Sequence, residues 1–200
     1  GSLKMFGMET VETDVLIIGF GGAGGAAAAF AAPHGLRVLL VEKMPHFGGT
    51  TMLAGGYMRV ANDAAEAARY LARCSGPRVD SSLVTALAAG MERLPSDLRQ
   101  LAKHANAEVE VVFGADQAPN QTSDLYDWPG RDALGWAGIA SVPDFPGYPW
   151  VHYARRGQNY MRVLETATAQ PDITTWFQTA ATELSVDGGP DVVVQAGAAP

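Results

Sequence analysis

One cysteine, Cys74, is all the thiol chemistry in this chain of 200 residues. No internal disulfide can form and a thiolate metal cluster is excluded, which fits a reducing compartment and makes a cytoplasmic location the expectation. Cations are also scarce: 14 Lys and Arg against 21 Asp and Glu leave a net charge of −7. They form no block, which argues against a nucleic-acid partner, whose phosphates need clustered Lys and Arg. No apolar run reaches the roughly 18 residues of a membrane span. No basic segment leads into a hydrophobic core, so no secretion signal is expected; Gly1-Ser2 has the look of a tag scar, and residues 1–12 are set aside as leader. His104 and His152 lack ligand-spaced partners, and no metal site is expected. What remains is a 48% hydrophobic composition, enough for a domain with a sizeable core.

Residues 13–56 carry the strongest signal. A short apolar strand, Val15 to Ile18, runs into Gly19-Phe20-Gly21-Gly22-Ala23-Gly24, then an alanine-rich helix, then a second apolar strand, Val38 to Val41, that ends on Glu42. Strand, glycine turn, helix, strand and acid in that order predict a dinucleotide-binding βαβ unit. Gly19 permits the tight turn, Gly21 keeps side chains away from a pyrophosphate, and Gly24 with Ala26 to Ala29 lets the helix lie close to the sheet. The helix N-terminus offers amides and a positive dipole end to phosphate. Glu42 stands where a carboxylate can accept both hydroxyls of an adenosine ribose. The absence of charge from Gly19 to Ala32 predicts a buried helix.

The residues after Glu42-Lys43 separate nicotinamide from flavin. Phe47-Gly48-Gly49-Thr50-Thr51 and Ala54-Gly55-Gly56 bring two further glycine pairs and two hydroxyls. A nicotinamide domain has no general need of them there. A flavin domain does, because its chain continues along an extended FAD to the isoalloxazine, where bare backbone and small hydroxyls approach the ring's polar edge.

Here the sequence EKMPHFGGTTMLAGG resembles the FAD-dependent oxidoreductases of the fumarate reductase, succinate dehydrogenase flavoprotein and 3-ketosteroid dehydrogenase group. The resemblance implies that Glu42 binds the adenosine ribose and that Lys43 and Met44 lie near the adenine. It also implies that Gly49, Thr50, Thr51, Gly55 and Gly56 line the pyrophosphate and flavin. A covalent flavin link at His46 is the lesser alternative.

A second, weaker match lies downstream. Residues 157–169 read as a helix with Met161, Leu164 and Thr168 on one face. Pro171-Asp172 breaks it, and Ile173 to Phe177 reads as a strand. In the family, a strand followed by a pattern like Thr179-Ala180-Ala181-Thr182-Glu183-Leu184 is the third parallel strand and its exit. The resemblance implies that the backbone of Ala181 reads the adenine edge.

Between these matches the chain turns helical. Asn62 can cap a helix running to Ser75, and Asp80 or Ser81 starts another. Its stripe Leu83, Leu87, Met91 and Leu94 is expected in the core, with Pro95-Ser96 interrupting the helix. Val109 to Phe113 reads as a short strand. Residues 114–156 are rich in aromatics, glycine and proline with little periodicity, and are read as an irregular packed meander or a flap. Arg155-Arg156 is read as a solvated turn in preference to a contact with cofactor phosphate or a carboxylate substrate. Glu183 to Val186, a turn at 187–190, and Asp191 to Gln195 read as a β-hairpin.

The fold expected is α/β: a Rossmann-like FAD-binding domain over residues 13–200, with a parallel sheet, inserted helices and a C-terminal β-hairpin. It is incomplete relative to the family, whose substrate-capping and C-terminal parts find no counterpart here. The function expected is the FAD-binding portion of an oxidoreductase that transfers a hydride between flavin N5 and an enone or α,β-unsaturated substrate, such as a 3-ketosteroid or a fumarate-like acid. The alternatives are a cofactor-binding fragment without activity of its own, or an NAD-dependent dehydrogenase. The partner is a small molecule, and self-association through an exposed sheet edge is anticipated. No catalytic residue is named; Tyr57 and Tyr126 are candidates on chemistry alone.

Overall fold

The four apolar residues Val38–Val41 form β2, and all four are buried. A strand covered on both faces needs apolar side chains at every position, which is why this run does not alternate. β1 (Val15–Ile18) and β6 (Ile173–Trp176) flank it in a parallel sheet of order β1-β2-β6. The register runs Val15↔Val38 to Ile18↔Val41 on one side and Val38↔Ile173 to Val41↔Trp176 on the other. The third parallel strand therefore stands where the sequence places it. The computed structural model describes residues 11–114, 125–152, 155–185 and 193–198. It divides into two units: Gly1–Phe47 with Gln170–Pro200, and Gly48–Ala169.

In the first unit α1 (Gly22–Ala31) makes the crossover from β1 to β2. Its burial is one-sided: Ala28 and Ala29 are in the core, while Ala23 and Ala27 face out. The lack of charge along this helix thus reflects small-residue packing on one face and not complete burial. β7 (Thr179–Ser185) and β8 (Val193–Ala198) pair antiparallel, with a register shift between Ala181 and Glu183. These are the two arms of the expected hairpin; its turn at 187–190 lies outside the described residues.

The second unit is built on an antiparallel sheet of order β3-β5-β4, from β3 (Tyr57–Ala61), β4 (Glu108–Phe113) and β5 (Leu134–Ser141). β5 lies inside the stretch expected to be irregular and is its central strand. Gly135 and Gly138 break the strand pattern of β5, and both are needed. A Cβ on Gly135 would strike the carbonyl oxygen of Val112, and one on Gly138 would strike that of Gly56. α2 (Ala64–Ser75) is capped by Asp63, whose carboxylate accepts from the Glu66 N–H at 3.0 Å, one residue beyond the Asn62 anticipated.

α3 (Ser81–Ala102) overturns two expectations. It runs straight through Pro95, whose ring sits on the buried face. The lost N–H costs one intrahelical bond, but the flanking turns are held by Met91 and Leu98, both in the core. The core stripe is Val84, Ala88, Met91, Pro95 and Leu98, while Leu83 is 65% and Leu87 55% exposed. The expected stripe holds in its second half, where Met91 is buried and Leu94 packs against the core, while Ala88 takes the place expected of Leu87 and joins Met91 with Ala61, Ala67, Tyr70 and Leu134. α4 (Arg155–Thr168) buries Met161, Leu164 and Thr168 as its periodicity predicts. Tyr148 pins the preceding loop to it, donating from its hydroxyl to Glu165 Oε2 at 2.8 Å.

Candidate cofactor site

The carboxyl ends of three parallel strands meet in the first unit, where open α/β sheets bind their ligands. The Gly19 N–H donates to the Val41 carbonyl at 2.7 Å, and the Glu42 N–H to that of Trp176 at 2.8 Å. From there Gln178 and Thr179 donate to the carbonyls of Met44 and Glu42. The glycine turn, the 42–44 segment and the start of β7 are thus tied in one row of backbone bonds.

The turn is shaped by its glycines. Gly19 has φ +97°, and a Cβ on Gly24 would collide with the Gly19 carbonyl oxygen. Gly24 therefore lets α1 close onto the turn as well as onto β1, where Ile17 Cγ2 is 3.3 Å from the same position. Gly21 is the N-cap of α1 and supplies no side-chain hydrogen bond; the first turn, from Gly22 and Ala23 onward, holds no acidic residue. A helix opening of this kind presents main-chain amides and a positive dipole end to an anion.

Glu42 is only 7% exposed. Its Oε2 accepts the Phe20 N–H at 2.7 Å and its Oε1 the Met44 N–H at 2.8 Å. The carboxylate therefore clips the glycine turn to the end of β2. Each oxygen keeps a further lone pair, which suits a pair of vicinal hydroxyls. Lys43 is exposed and Met44 is 46% exposed, both beside this carboxylate. Ala181 sits in β7 opposite Ala196, next to the register shift. These positions fit the adenosine end of a dinucleotide: a cradle without side chains, a buried acid, and an accessible rim.

Sequence reasoning overlooked the aromatic floor of this region. Phe20, 3% exposed, lies 5.1 Å from Phe47 and 6.3 Å from Phe177 between ring centroids. Phe20 occupies a variable position of the glycine motif, and the pattern gives no signal for a side chain packed beneath the turn.

In the second unit the remaining predicted residues form a short helical turn, Gly49–Leu53, followed by Gly55 and Gly56. Gly49 and Thr50 are exposed, Thr51 is half-buried, and Met52 anchors the turn in the core. Gly48 precedes it with φ +128°. Arg156 departs from the solvated turn expected of it, pairing with Glu110 and lying 4.5 Å from the Tyr57 ring centroid. Tyr57 is accordingly a packing residue, edge-on to Trp136 at 6.5 Å. Tyr126 stacks on Trp128 at 4.4 Å. Burial, and then the bond to Glu165, push the Tyr148 phenol well above the usual range, so it stays protonated as a donor. None of the three is placed as a proton-transfer group. Among the described residues no cluster of His, Cys, Asp and Glu could hold a metal ion.

Part of the chain is 38% identical over 121 residues to 3-oxosteroid 1-dehydrogenase of Mycobacterium tuberculosis, covering 55% of this chain and 21% of that protein. A shorter stretch of 54 residues is 50% identical to urocanate reductase of Eggerthella lenta, covering 27% and 9%. The chain spans about a fifth of the length of the steroid dehydrogenases it matches. Among solved structures, the 3-ketosteroid-Δ4-(5α)-dehydrogenase of Rhodococcus jostii RHA1 superposes with TM-score 0.69 at 19% identity, over 98% of this chain and 44% of that one. A flavocytochrome c3 fumarate reductase gives 0.63 at 20%, over 91% and 30%. At such identities the likeness speaks for the fold. Residues 14–199 match the FAD binding domain family, so the cofactor is FAD rather than a nicotinamide, and the chain belongs to that family.

Proposed function

We propose that this chain is the FAD-binding portion of an oxidoreductase that moves a hydride between flavin N5 and a carbon of an enone or an α,β-unsaturated acid, a 3-ketosteroid being the first class to test. Glu42 carries the reading. A buried carboxylate clipped to a glycine turn at the ends of parallel strands is suited to the adenosine ribose. In this reading Gly19, Gly21, Gly22, Ala23 and Gly24 serve the pyrophosphate, and Lys43, Met44 and Ala181 flank the adenine. Gly49, Thr50, Thr51, Gly55 and Gly56 line the pyrophosphate and flavin. FAD when bound supplies the two-electron chemistry. The protein holds the ring, excludes water from it, and presents main-chain donors and small hydroxyls to its polar edge. The substrate class draws support from the steroid dehydrogenases and the urocanate reductase among the relatives.

Replacing Thr50 and Thr51 together with valine tests the loop. FAD affinity should fall by about tenfold or more, the worth of one or two charge-assisted or buried hydrogen bonds, and by more than the affinity for ADP, which lacks the flavin. Unaltered FAD affinity in the double variant refutes the loop assignment. A chain that holds FAD but turns over no enone or unsaturated acid supports the second reading, a cofactor-binding module without activity of its own.

Three further points belong to this proposal. Residues 13–200 work as one cofactor-binding domain, with 114–156 as its aromatic-rich part. The protein is cytoplasmic, in keeping with its lone cysteine; among the described residues no helix is long and apolar enough to cross a membrane. Self-association proceeds through β1, which among the described residues pairs with β2 alone and ends on Ile18, 56% exposed. An open strand edge and an apolar side chain favour strand addition. Sedimentation over a concentration series checks it, and a monomer throughout rules it out.

A further inference from the structure

The flavin-loop segment of the second unit is held against the first turn of α4 by backbone touching backbone. A Cβ on Gly56, whose φ is +72°, would strike the main chain of Arg156 and Gly157. A Cβ on Gly157 would in turn strike the carbonyl oxygens of Thr51 and Ala54. With no side chains between them, the position of that helical turn dictates the position of residues 51–56.

Several ties hold that turn: Gln158 Oε1 accepts the Tyr148 N–H, the Asn159 amide donates to the Ile139 and Ala140 carbonyls, and Arg156 adds a charged one. Its Nη1 lies 2.6 Å from Glu110 Oε2 on β4, and both atoms are shut off from solvent. The approach lies off the N–H axis and makes no aligned hydrogen bond, so charge holds the pair. Tyr57, Gly138 and Glu110 are register partners in one row across β3, β5 and β4. Cross-strand partners share a face, and neighbouring strands are about 4.8 Å apart. Glycine in the middle of the row leaves room for the Gly56 carbonyl, and the Arg156 guanidinium lies over Tyr57 at one end of the row and on Glu110 at the other.

We propose that Arg156 and Glu110 are a positioning pair for FAD, setting residues 49–56 for the flavin through the first turn of α4 without touching the cofactor. This rests on reading 49–56 as the flavin-lining segment. Two consequences distinguish it from a phosphate-binding arginine. Removing either partner must act in the same direction, since each leaves the other half-buried side chain without its charge partner. The damage must also concentrate on the flavin end of FAD.

The test uses the full chain as wild type, Arg156→Met, Arg156→Lys, Glu110→Gln and the Thr50→Val/Thr51→Val double variant. Hydrogen exchange without cofactor and titration with FAD and with ADP are the readouts. Arg156→Met and Glu110→Gln should each speed exchange across 49–56 while the amides of β1 and β2 keep their wild-type rates. Each should weaken FAD by at least about tenfold with ADP within about twofold, and Arg156→Lys should recover part of the loss. The proposal is overturned if exchange in 49–56 is unchanged or rises equally in β1 and β2. It is also overturned if ADP weakens as much as FAD, or if Glu110→Gln tightens FAD, as a freed phosphate-binding arginine would. If the threonine double variant leaves FAD affinity intact, the loop reading fails by itself, and the exchange rates still decide whether the pair positions the segment.

Discussion

In the proposed reading Glu42 does two jobs with one side chain. Its two oxygens accept the Phe20 and Met44 amides, so the acid expected to meet a ribose is also what holds the glycine turn to the end of β2. The sequence displays the first job, because an acid closing the second strand of a glycine-motif βαβ unit is a recognised signal. It hides the second, since nothing in a string of residues says which main-chain amides a carboxylate will bind. Glu42→Gln separates them. The amide's NH2 would face one of the two N–H donors, leaving it unsatisfied in a buried place, so the cofactor-free protein should lose about 1–3 kcal/mol of stability. Denaturant unfolding without FAD checks this; unchanged stability would restrict Glu42 to ligand binding.

At the level of elements, periodicity and main-chain chemistry are read well and rotation is read poorly. The runs at 15–18 and 38–41 become strands with those bounds, because a fully apolar short run between turn signals has few other fates. α3 is different. Counting from Leu83 and counting from Val84 give two stripes that share Met91, and the packing of Ala88 with Ala67 and Tyr70 of α2 puts Val84 and Ala88 inside in place of Leu83 and Leu87. Pro95 misled for a related reason: a proline's cost is local, and a helix with core contacts on both sides of it absorbs that cost. β5 was unreadable as a strand because its two glycines are demanded by neighbours distant in sequence. The choice of stripe has a measurable consequence. Leu98→Ala should cost about 2–5 kcal/mol as a cavity in the core, whereas Leu83→Lys with Leu87→Lys should change stability by under about 0.5 kcal/mol. Thermal unfolding of both variants decides it, and a large loss in the leucine-to-lysine variant would restore the original stripe.

For the whole molecule, two kinds of sequence signal carry different parts of the account. The glycine motif and the parallel strands specify a turn tied across the ends of β1, β2 and β6 in the first unit, visible in the backbone bonds Gly19 to Val41, Glu42 to Trp176 and Thr179 to Glu42, which we propose takes the adenosine end of the cofactor. The loop at 49–56 was legible from its glycine pairs and threonines. Its support by Gly157, Arg156 and Glu110 was not, since those residues lie roughly fifty to a hundred positions away. The family match over 14–199 and the fold neighbours place the chain among FAD-binding domains, and the binding of FAD by the chain itself is the claim on which every assignment here depends. A visible absorption titration of the purified chain with FAD, with free cofactor removed by gel filtration, tests it most directly. The account predicts a flavin band that co-elutes with the protein at one equivalent. A folded chain that stays colourless with FAD in excess would contradict it.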